Sequence, residues 1–330
     1  CDSPETPPHA LALAELAAAR PQHVYRRGDP RLIGAAVQPH FLSSVGPRAG
    51  SALQGGAGRL ALARRIADPD NPLTARVAVN RIWMHHFGAG LVRTPSDFGT
   101  RGEAPTHPRL LDWLASEFVC RGWSTKAMHR MIVLSRTWRQ GGARSPKSRA
   151  IDPDNRWLAR RDPARMDLES LRDCALEVAG ELDRTRGGRS VRLFDDKDSK
   201  RRSLYGYLDR QKVDAPYRLF DFANPDQHTP RRLETTVPQQ ALWMLNGPFM
   251  ARRAVALAKM ANAGGAAPTG VVDRLYDALF QRAPGAAERA LAVDFLTSEA
   301  ARTRDGADVL GPVERLAQTL LLSNGFLHVD

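Results

Sequence analysis

The segment "NPLTARVAVNRIWMHHFG", residues 71–88, decides the fold class, because its apolar residues recur with the period of an α-helix. Asn71 followed by Pro72 is typical of a helix start. Gly88, directly after the last periodic residue, is typical of a helix end. The segment therefore predicts one amphipathic helix between two clear boundary signals.

The same pattern recurs downstream, and it predicts a mainly α, multi-helix globular domain with a minor extended or β component. "THPRLLDWLASEFVCRG" (106–122) has a proline in its first turn and a closing glycine, and Ser124 is expected to cap the next helix. The predicted organisation has three parts: an N-terminal extended or linker segment at 1–58, a helical core unit carrying the NRIWMHHFG motif at 59–145, and a second, mainly helical lobe at 146–330 with a short strand near 201–210.

The two adjacent histidines at the end of the first segment do not predict a metal site. Consecutive helical residues lie ~100° apart around the axis, so His85 and His86 cannot share one ligand sphere as an i, i+4 pair does. The simplest interpretation places His86 in a packed, hydrogen-bonded position. His85 would then lie at the helix end, where the helix dipole favours a cation.

A polar loop follows in "TPSDFGTRGEAPTHP", residues 94–108. Asp97 and His107, together with His85, contain the components of a general acid/base site, so these three residues are the candidate catalytic set. Glu103 could complete a weak metal site there. The alternative is loop capping, in which Asp97 and Thr106 bond to backbone amides.

A second polar concentration combines "RRSLYGYLDR" with "HTPRRLETTVPQQALWMLN". Arginine side chains in such a cluster can form a forked pocket for a carboxylate, sulfate or phosphate group. Glu234 could instead neutralise the nearest arginines in an ordinary ion-pair network. The candidate ligand-binding residues are Arg201, Arg202, Tyr205, Arg210, Arg231 and Arg232.

The net charge of +12 and the pI near 10.3 raise the question of a nucleic-acid partner. The basic residues are mostly arginines scattered along the chain, and no groove-reading motif or run of alternating aromatic and basic residues is present. Nucleic acid is therefore the disfavoured partner. No run of about 18 apolar residues exists, so no membrane span is predicted.

Cysteine usage predicts no metal and no cofactor in this chain. Cys1, Cys120 and Cys174 are far apart, and neither a C-x-x-C pair nor a C-x-x-C-H haem attachment site occurs. Because the chain begins at Cys1 rather than at methionine, we expect it to be a processed or cut piece of a longer protein.

Four segments together resemble the planctomycete PSD domain family, a domain of unknown function. They are the long block at 71–140, "RRSLY" (201–205), "TTVPQQALWMLN" (235–246) and "LLSNGFLHVD" (321–330). The resemblance covers about residues 22–330 in the same order, and the long block is too specific to be a general fold pattern.

The resemblance implies a context rather than a reaction. Such domains lie C-terminal in multidomain proteins that carry a c-type cytochrome domain behind an export signal. It therefore implies an extracytoplasmic location (periplasm or cell surface), a fused or associated cytochrome domain as partner, and haem c on that upstream domain. The family offers no established catalytic residues to carry over.

Two hypotheses of function follow. In the first, the chain is an exported module that binds or processes an anionic extracellular ligand such as a polysaccharide, through the arginines and the polar loop. In the second, it is a structural or docking domain for the upstream domains, without catalytic activity, and its arginines pair internally. Whether the chain is an enzyme stays open at this point.

Overall fold

The computed structural model is mainly α-helical, with 47% of residues in helices and only two small antiparallel sheets in the described residues, which confirms the predicted fold class. It describes residues 12–14, 22–46, 50–53, 58–142, 146–195, 199–300 and 310–329. Within these ranges, no helix combines the length and the apolar character needed to cross a membrane.

The chain divides into two compact units, residues 1–140 and 141–330. The described part of the predicted segment 1–58 contains a hairpin and belongs to the first unit, whereas residues 1–11, 15–21, 47–49 and 54–57 of that segment lie outside the described residues. The observed boundary follows Gln140. The three-part division into separate domains at 58/59 and 145/146 stays a prediction.

In its described residues, the first unit combines a two-stranded antiparallel hairpin with four α-helices. Its elements are β1 (Gln22–Tyr25), β2 (Ile33–Val37), α1 (Arg59–Ile66), α2 (Thr74–Phe87), α3 (Pro108–Cys120) and α4 (Thr125–Val133). Helix α2 packs against α3 and α4. Ser124 caps α4 as expected, because its Oγ accepts a hydrogen bond from the backbone N–H of Ala127 at 3.3 Å.

Helix α2 begins later than the sequence signal suggests. Asn71 accepts a hydrogen bond from the backbone N–H of Leu73 at 3.0 Å, so it forms a turn before the helix, which starts at Thr74. Its other end agrees with the prediction. Gly88 adopts φ 78° and donates its N–H to the carbonyl of Met84 at 2.8 Å, a backbone conformation that glycine adopts without steric cost.

The core of the first unit lies where these helices meet. Val79, Trp83, Leu114, Phe118 and Met128 are buried, and burial of each such side chain contributes roughly 1.5–3 kcal/mol.

One polar residue, Asn80, is also fully buried in this unit. Its Nδ2 donates to the carbonyl of Val92 at 3.0 Å, and its Oδ1 accepts from the N–H of Val92 at 2.8 Å. Asn80 thus satisfies both backbone groups of Val92 inside the core and fixes the start of the polar loop.

The second unit is a larger helical assembly. Its elements are α5 (Pro146–Ile151), β3 (Ala164–Arg165), α6 (Leu168–Val178), α7 (Ala215–Leu219), α8 (Pro238–Asn246), α9 (Pro248–Ala261), α10 (Pro268–Phe280), α11 (Ala286–Ala300), α12 (Pro312–Leu321), α13 (Asn324–Leu327) and β4 (His328–Val329). Strands β3 and β4 pair antiparallel. Helices α9 and α12 form the main packing pair, with Leu257 and Leu321 among its fully buried side chains.

The prediction of a short strand near 201–210 is wrong. Ser203–Tyr205 forms a 3-10 turn, and isolated bridges at Arg201 and Gly206 flank it. The physical reason is that the Asp173 carboxylate on α6 accepts hydrogen bonds from both the N–H and the Oγ of Ser203, at 2.8 and 2.7 Å. A backbone N–H that is bound by a side chain cannot also join a strand ladder.

Candidate functional site

The proposed catalytic set in the first unit does not come together. His85 is exposed in the last turn of α2, and Asp97 and His107 are each bonded within their own loop. The Asp97 carboxylate accepts from the N–H of Gly99 at 2.9 Å, and the His107 Nδ1 lies 3.0 Å from the Thr106 hydroxyl. Among the described residues, no hydrogen bond joins any two of His85, Asp97 and His107, so the contact that acid/base chemistry requires is missing.

The other histidine of the motif has a partner that the sequence did not indicate. His86 Nε2 lies 2.7 Å from the Nδ1 of His129 on α4, and the His86 ring packs edge-on against Trp138 with centroids 5.0 Å apart. The expectation that His86 is packed and hydrogen-bonded therefore agrees with the structure. No group of three or more His, Cys, Asp or Glu residues in the described ranges could hold a metal ion.

The six arginine and tyrosine candidates of the second unit do not form one cluster. Arg201 donates to the carbonyl oxygens of Arg189 and Thr185 at 3.0 and 3.3 Å, and it stacks on Tyr205 at 4.2 Å from the ring centroid. The Tyr205 hydroxyl accepts from the N–H of Gly187 at 3.1 Å. Both side chains therefore stabilise the preceding loop.

Two further candidates are also neutralised at the surface. Arg210 pairs with Asp226 at 2.7 Å, and Arg231 pairs with Glu234 at 3.2 Å, which is the ion pair that the alternative interpretation anticipated. Because exposed pairs of this kind are tolerated almost anywhere, they give no indication of a ligand site.

The remaining two candidates, Arg202 and Arg232, line a pocket of about 470 Å³ in the second unit. This volume falls within the range of small-ligand sites. The polar and aromatic side chains that line it are Glu169, Ser170, Asp173, Arg202, Ser203, Tyr217, Phe222 and Arg232. We refer to it below as the α6 pocket.

Helix α6 supplies the acidic wall of the pocket. Asp167 caps the helix through the N–H of Ser170 at 2.8 Å, which places Glu169 and Asp173 one turn apart on the same face. Glu169 binds Arg232 through two hydrogen bonds of 2.9 and 2.7 Å. Arg232 also lies over the Phe222 ring, 4.6 Å from its centroid, so its position is fixed from two sides.

Arg202 is positioned by its neighbours rather than by contacts of its own. The carbonyl of Arg201 accepts from the buried guanidinium of Arg172 at 2.8 Å, and Ser203 is held by Asp173. The side chain of Arg202 is exposed and forms no hydrogen bond or ion pair within the described ranges. The backbone is therefore anchored on both sides of an unpaired cation.

Tyr217 provides the second unpaired polar group of the pocket. Its ring is buried, packing against Phe194 and Phe222 with centroid distances of 5.2 and 4.8 Å. Its hydroxyl has no hydrogen-bond partner among the described residues. Burial raises the pKa of Tyr217, and the nearby Glu169 carboxylate raises it further, so the phenol stays neutral and can donate.

The Arg232 guanidinium remains charged in the same environment. Its hydrogen bonds to Glu169 raise the pKa of Arg232 above its usual range, and burial opposes this change.

The open space beside the Tyr217 hydroxyl depends on Gly206. A Cβ atom at Gly206 would lie 2.8 Å from the hydroxyl oxygen and 2.7 Å from Cδ1 of Leu193. These distances are shorter than real Cβ contacts, so any side chain there would displace the pocket wall.

The site residues that sequence analysis missed are Glu169, Asp173, Tyr217 and Phe222. A signal for the first two existed in "DLESLRD" (167–173), where a helix cap is followed by two carboxylates at i, i+4 spacing. No comparable pattern marks Tyr217 or Phe222, since their position depends on the packing of α7 against the core.

The comparisons with known proteins give the chain a family but no activity. Neither the curated proteins nor the solved structures contained a match to this chain. The model of the family described as "PSD1: Protein of unknown function (DUF1553)" matches residues 58–296, a range that includes α1 to α10, the α6 pocket and most of α11. The chain therefore belongs to the PSD1 family of proteins of unknown function.

Proposed function

We propose that this chain is an exported module that binds an anionic polysaccharide in the α6 pocket. The observation that carries the proposal is Arg202, an exposed guanidinium without a partner among the described residues, at a pocket of about 470 Å³. A guanidinium binds a uronate carboxylate or a sulfate ester through two parallel hydrogen bonds. Tyr217 and Ser170 add hydroxyl groups suited to the sugar ring.

Binding fits the pocket better than hydrolysis does. Glycoside hydrolysis needs two carboxyl groups, one of which must be available to protonate the leaving oxygen. Here Glu169 is engaged by Arg232, and Asp173 is engaged by Ser203. Because both carboxylates are committed to protein groups, the proposed role is retention of the ligand rather than its cleavage.

The resemblance to planctomycete PSD domains supports the proposed cellular context. We place the chain in a multidomain protein whose upstream part carries an export signal and a c-type cytochrome domain with haem c, in the periplasm or at the cell surface. The upstream coding sequence tests this directly. An export signal and a C-x-x-C-H segment are expected there, and a coding sequence with neither would contradict the proposed context.

The ligand proposal is tested by retention on a sulfated-glycan resin and on a polyuronate resin, with neutral dextran as the control. Wild-type protein should be retained on at least one anionic resin and released by salt, because exposed charge interactions are screened. Arg202→Ala should bind at least about tenfold more weakly, with little change in Tm.

The matched control is Arg210→Ala, which removes the same charge from an exposed arginine that is paired with Asp226. It should retain the glycan as wild type does. Equal weakening in the two variants would indicate a general charge effect, and full retention of Arg202→Ala would remove the α6 pocket as the site.

A structural or docking role is the second candidate, and the internal pairing of the arginines favours it. Arg201, Arg210 and Arg231 all bind groups of the chain itself. Helix α8 also leaves Leu242 and Leu245 about half exposed, at 53% and 52%. Under this role, wild-type protein would bind none of the anionic glycans.

A further inference from the structure

The His86–His129 pair in the first unit is independent of the proposed glycan pocket, and its geometry points to a second site. The two histidines come from different helices, α2 and α4, and their facing nitrogens are 2.7 Å apart. Residues next to them anchor each helix in the core: Trp83 and Met84 on α2, and Met128 and Ile132 on α4. The two rings are therefore carried by rigid elements rather than by loops.

We propose that His86 Nε2 and His129 Nδ1 bind one late first-row divalent metal ion of the Cu²⁺ or Ni²⁺ class. Imidazole nitrogen suits these ions, and Cu²⁺ has the highest affinity in the series. With metal–nitrogen distances near 2.0 Å, two ligands at ~90° are about 2.8 Å apart, whereas a tetrahedral angle requires about 3.3 Å. The observed separation is closer to the first value, so a tetragonal ion fits with the smaller adjustment.

Aromatic side chains cover one side of this site. Trp138 covers the His86 ring edge-on at a centroid distance of 5.0 Å, and Phe87 packs against Trp138 at 5.7 Å. His129 is exposed, so water or a ligand anion can take the remaining coordination positions. Two protein ligands with open positions make an exchangeable site rather than a structural one.

Metal binding also defines what happens to the hydrogen now shared by the two rings. In the pair, one imidazole donates and the other accepts. On binding, the donating ring must carry its hydrogen on its other nitrogen, so two neutral rings change tautomer without a net loss of protons. Because a metal ion binds only a deprotonated imidazole nitrogen, the affinity should fall with falling pH.

Calorimetric titration of tag-free, chelator-treated protein with Ni²⁺ tests the proposal. Ni²⁺ is the better probe because Cu²⁺ oxidises thiols, and Cys120 is an exposed free thiol. Wild type should bind one Ni²⁺ at pH 7.5, and His129→Ala should bind at least about tenfold more weakly. His129 is exposed, so this variant should keep its fold.

The neighbouring exposed histidine provides the matched control. His85→Ala removes an imidazole from the same helix turn and should bind Ni²⁺ as tightly as wild type. Ni²⁺ should also raise the Tm of wild type and of His85→Ala, but not that of His129→Ala. Unchanged affinity in His129→Ala, or an equal loss in His85→Ala, would overturn the proposal. The outcome of these Ni²⁺ titrations does not test the α6 pocket, which lies in the other unit.

Discussion

The polar loop after α2 and the α6 pocket contain similar residue types, but they use them differently. In the loop, Asp97 and Thr94 bond the loop backbone, at 2.9 Å to Gly99 N–H and 2.8 Å to the Asp97 carbonyl. In the pocket, Glu169 binds Arg232 and Asp173 binds Ser203, whereas Arg202 and the Tyr217 hydroxyl have no hydrogen-bond partner in the part of the chain that the structure describes. The loop uses its side chains as hydrogen-bond partners for its own backbone groups. The backbone groups of α6 are hydrogen-bonded within the helix, so its side chains can bind other residues.

This difference indicates where polar side chains stay available to a ligand. A helix satisfies its backbone groups internally, so the side chains on its surface are available for other contacts. A loop of the same length has no such ladder, and its Asp, Thr and Ser residues bond nearby amides first. Asp, Thr and Ser residues in a loop are therefore weaker evidence for a site than the same residues on a helix face.

The largest expected effect concerns the anchor of the loop. Asn80→Ala leaves the N–H and the carbonyl of Val92 without their partner inside the core, and we expect a loss of about 2–4 kcal/mol in unfolding free energy. Asp97→Ala, which removes one capping bond in the same loop, should cost only about 1 kcal/mol. Urea denaturation measures both. Equal losses would mean that the loop supports itself without Asn80.

The next largest effect is a difference in stability loss between substitutions of two adjacent arginines, Arg231 and Arg232. Arg232→Ala breaks the two-bond contact with Glu169 and the packing on Phe222, and we expect a loss of about 1–2 kcal/mol, since Arg232 is one-third exposed. Arg231→Ala removes an exposed pair with Glu234 and should change stability by less than about 0.5 kcal/mol. Thermal unfolding of the two variants side by side checks this. If they unfold alike, Arg232 is not a structural member of the pocket wall.

The smallest expected effect is the pH dependence of stability that arises from Glu288, whose carboxylate is bound by Arg282 and lies outside both regions. Hydrogen bonds from Arg282 and from the N–H of Gly285 lower the pKa of Glu288 from 4.5 to about 2. A lowered pKa in the folded state stabilises the protein above pH 4.5, and this contribution is lost as the pH falls from 4.5 towards 2. Both partners are exposed, so solvent screening keeps the contribution small.

Glu288→Gln should therefore be slightly less stable than wild type at pH 7, and the difference should shrink as the pH approaches 2. Unfolding curves recorded from pH 7 to pH 2.5 measure this. A stability difference that does not change with pH would mean that the pair contributes through packing rather than charge.

The fold class was predictable from the sequence because helical periodicity and boundary residues act locally. Gly88 ends α2 and Ser124 caps α4, as their residue types predict. Asn71 was expected to cap α2, but it forms a turn that precedes the helix. The strand near 201–210 could not be rejected from the sequence, since the contact that prevents it comes from Asp173, thirty residues away in the chain.

The candidate site was predictable only in part, for the same reason. The sequence identified the arginine-rich segments, and two of the six selected residues, Arg202 and Arg232, line the pocket. The sequence could not show which of these arginines are available to a ligand, because the neutralisation of a guanidinium depends on tertiary partners such as Glu169 and Asp226. The His86–His129 contact was hidden for the same reason, since it joins two helices separated by 43 positions.

The missing side chain at Gly206 has a consequence for other members of the PSD1 family. A relative that keeps both arginines but carries alanine or a larger residue at this position would have a wall pressed against the phenol and a shallower recess. Such a relative would have an equally cationic surface but less room in the recess for the sugar residue that we propose as ligand. Under the proposed function, glycan binding within the family should therefore depend on the size of the side chain at this position.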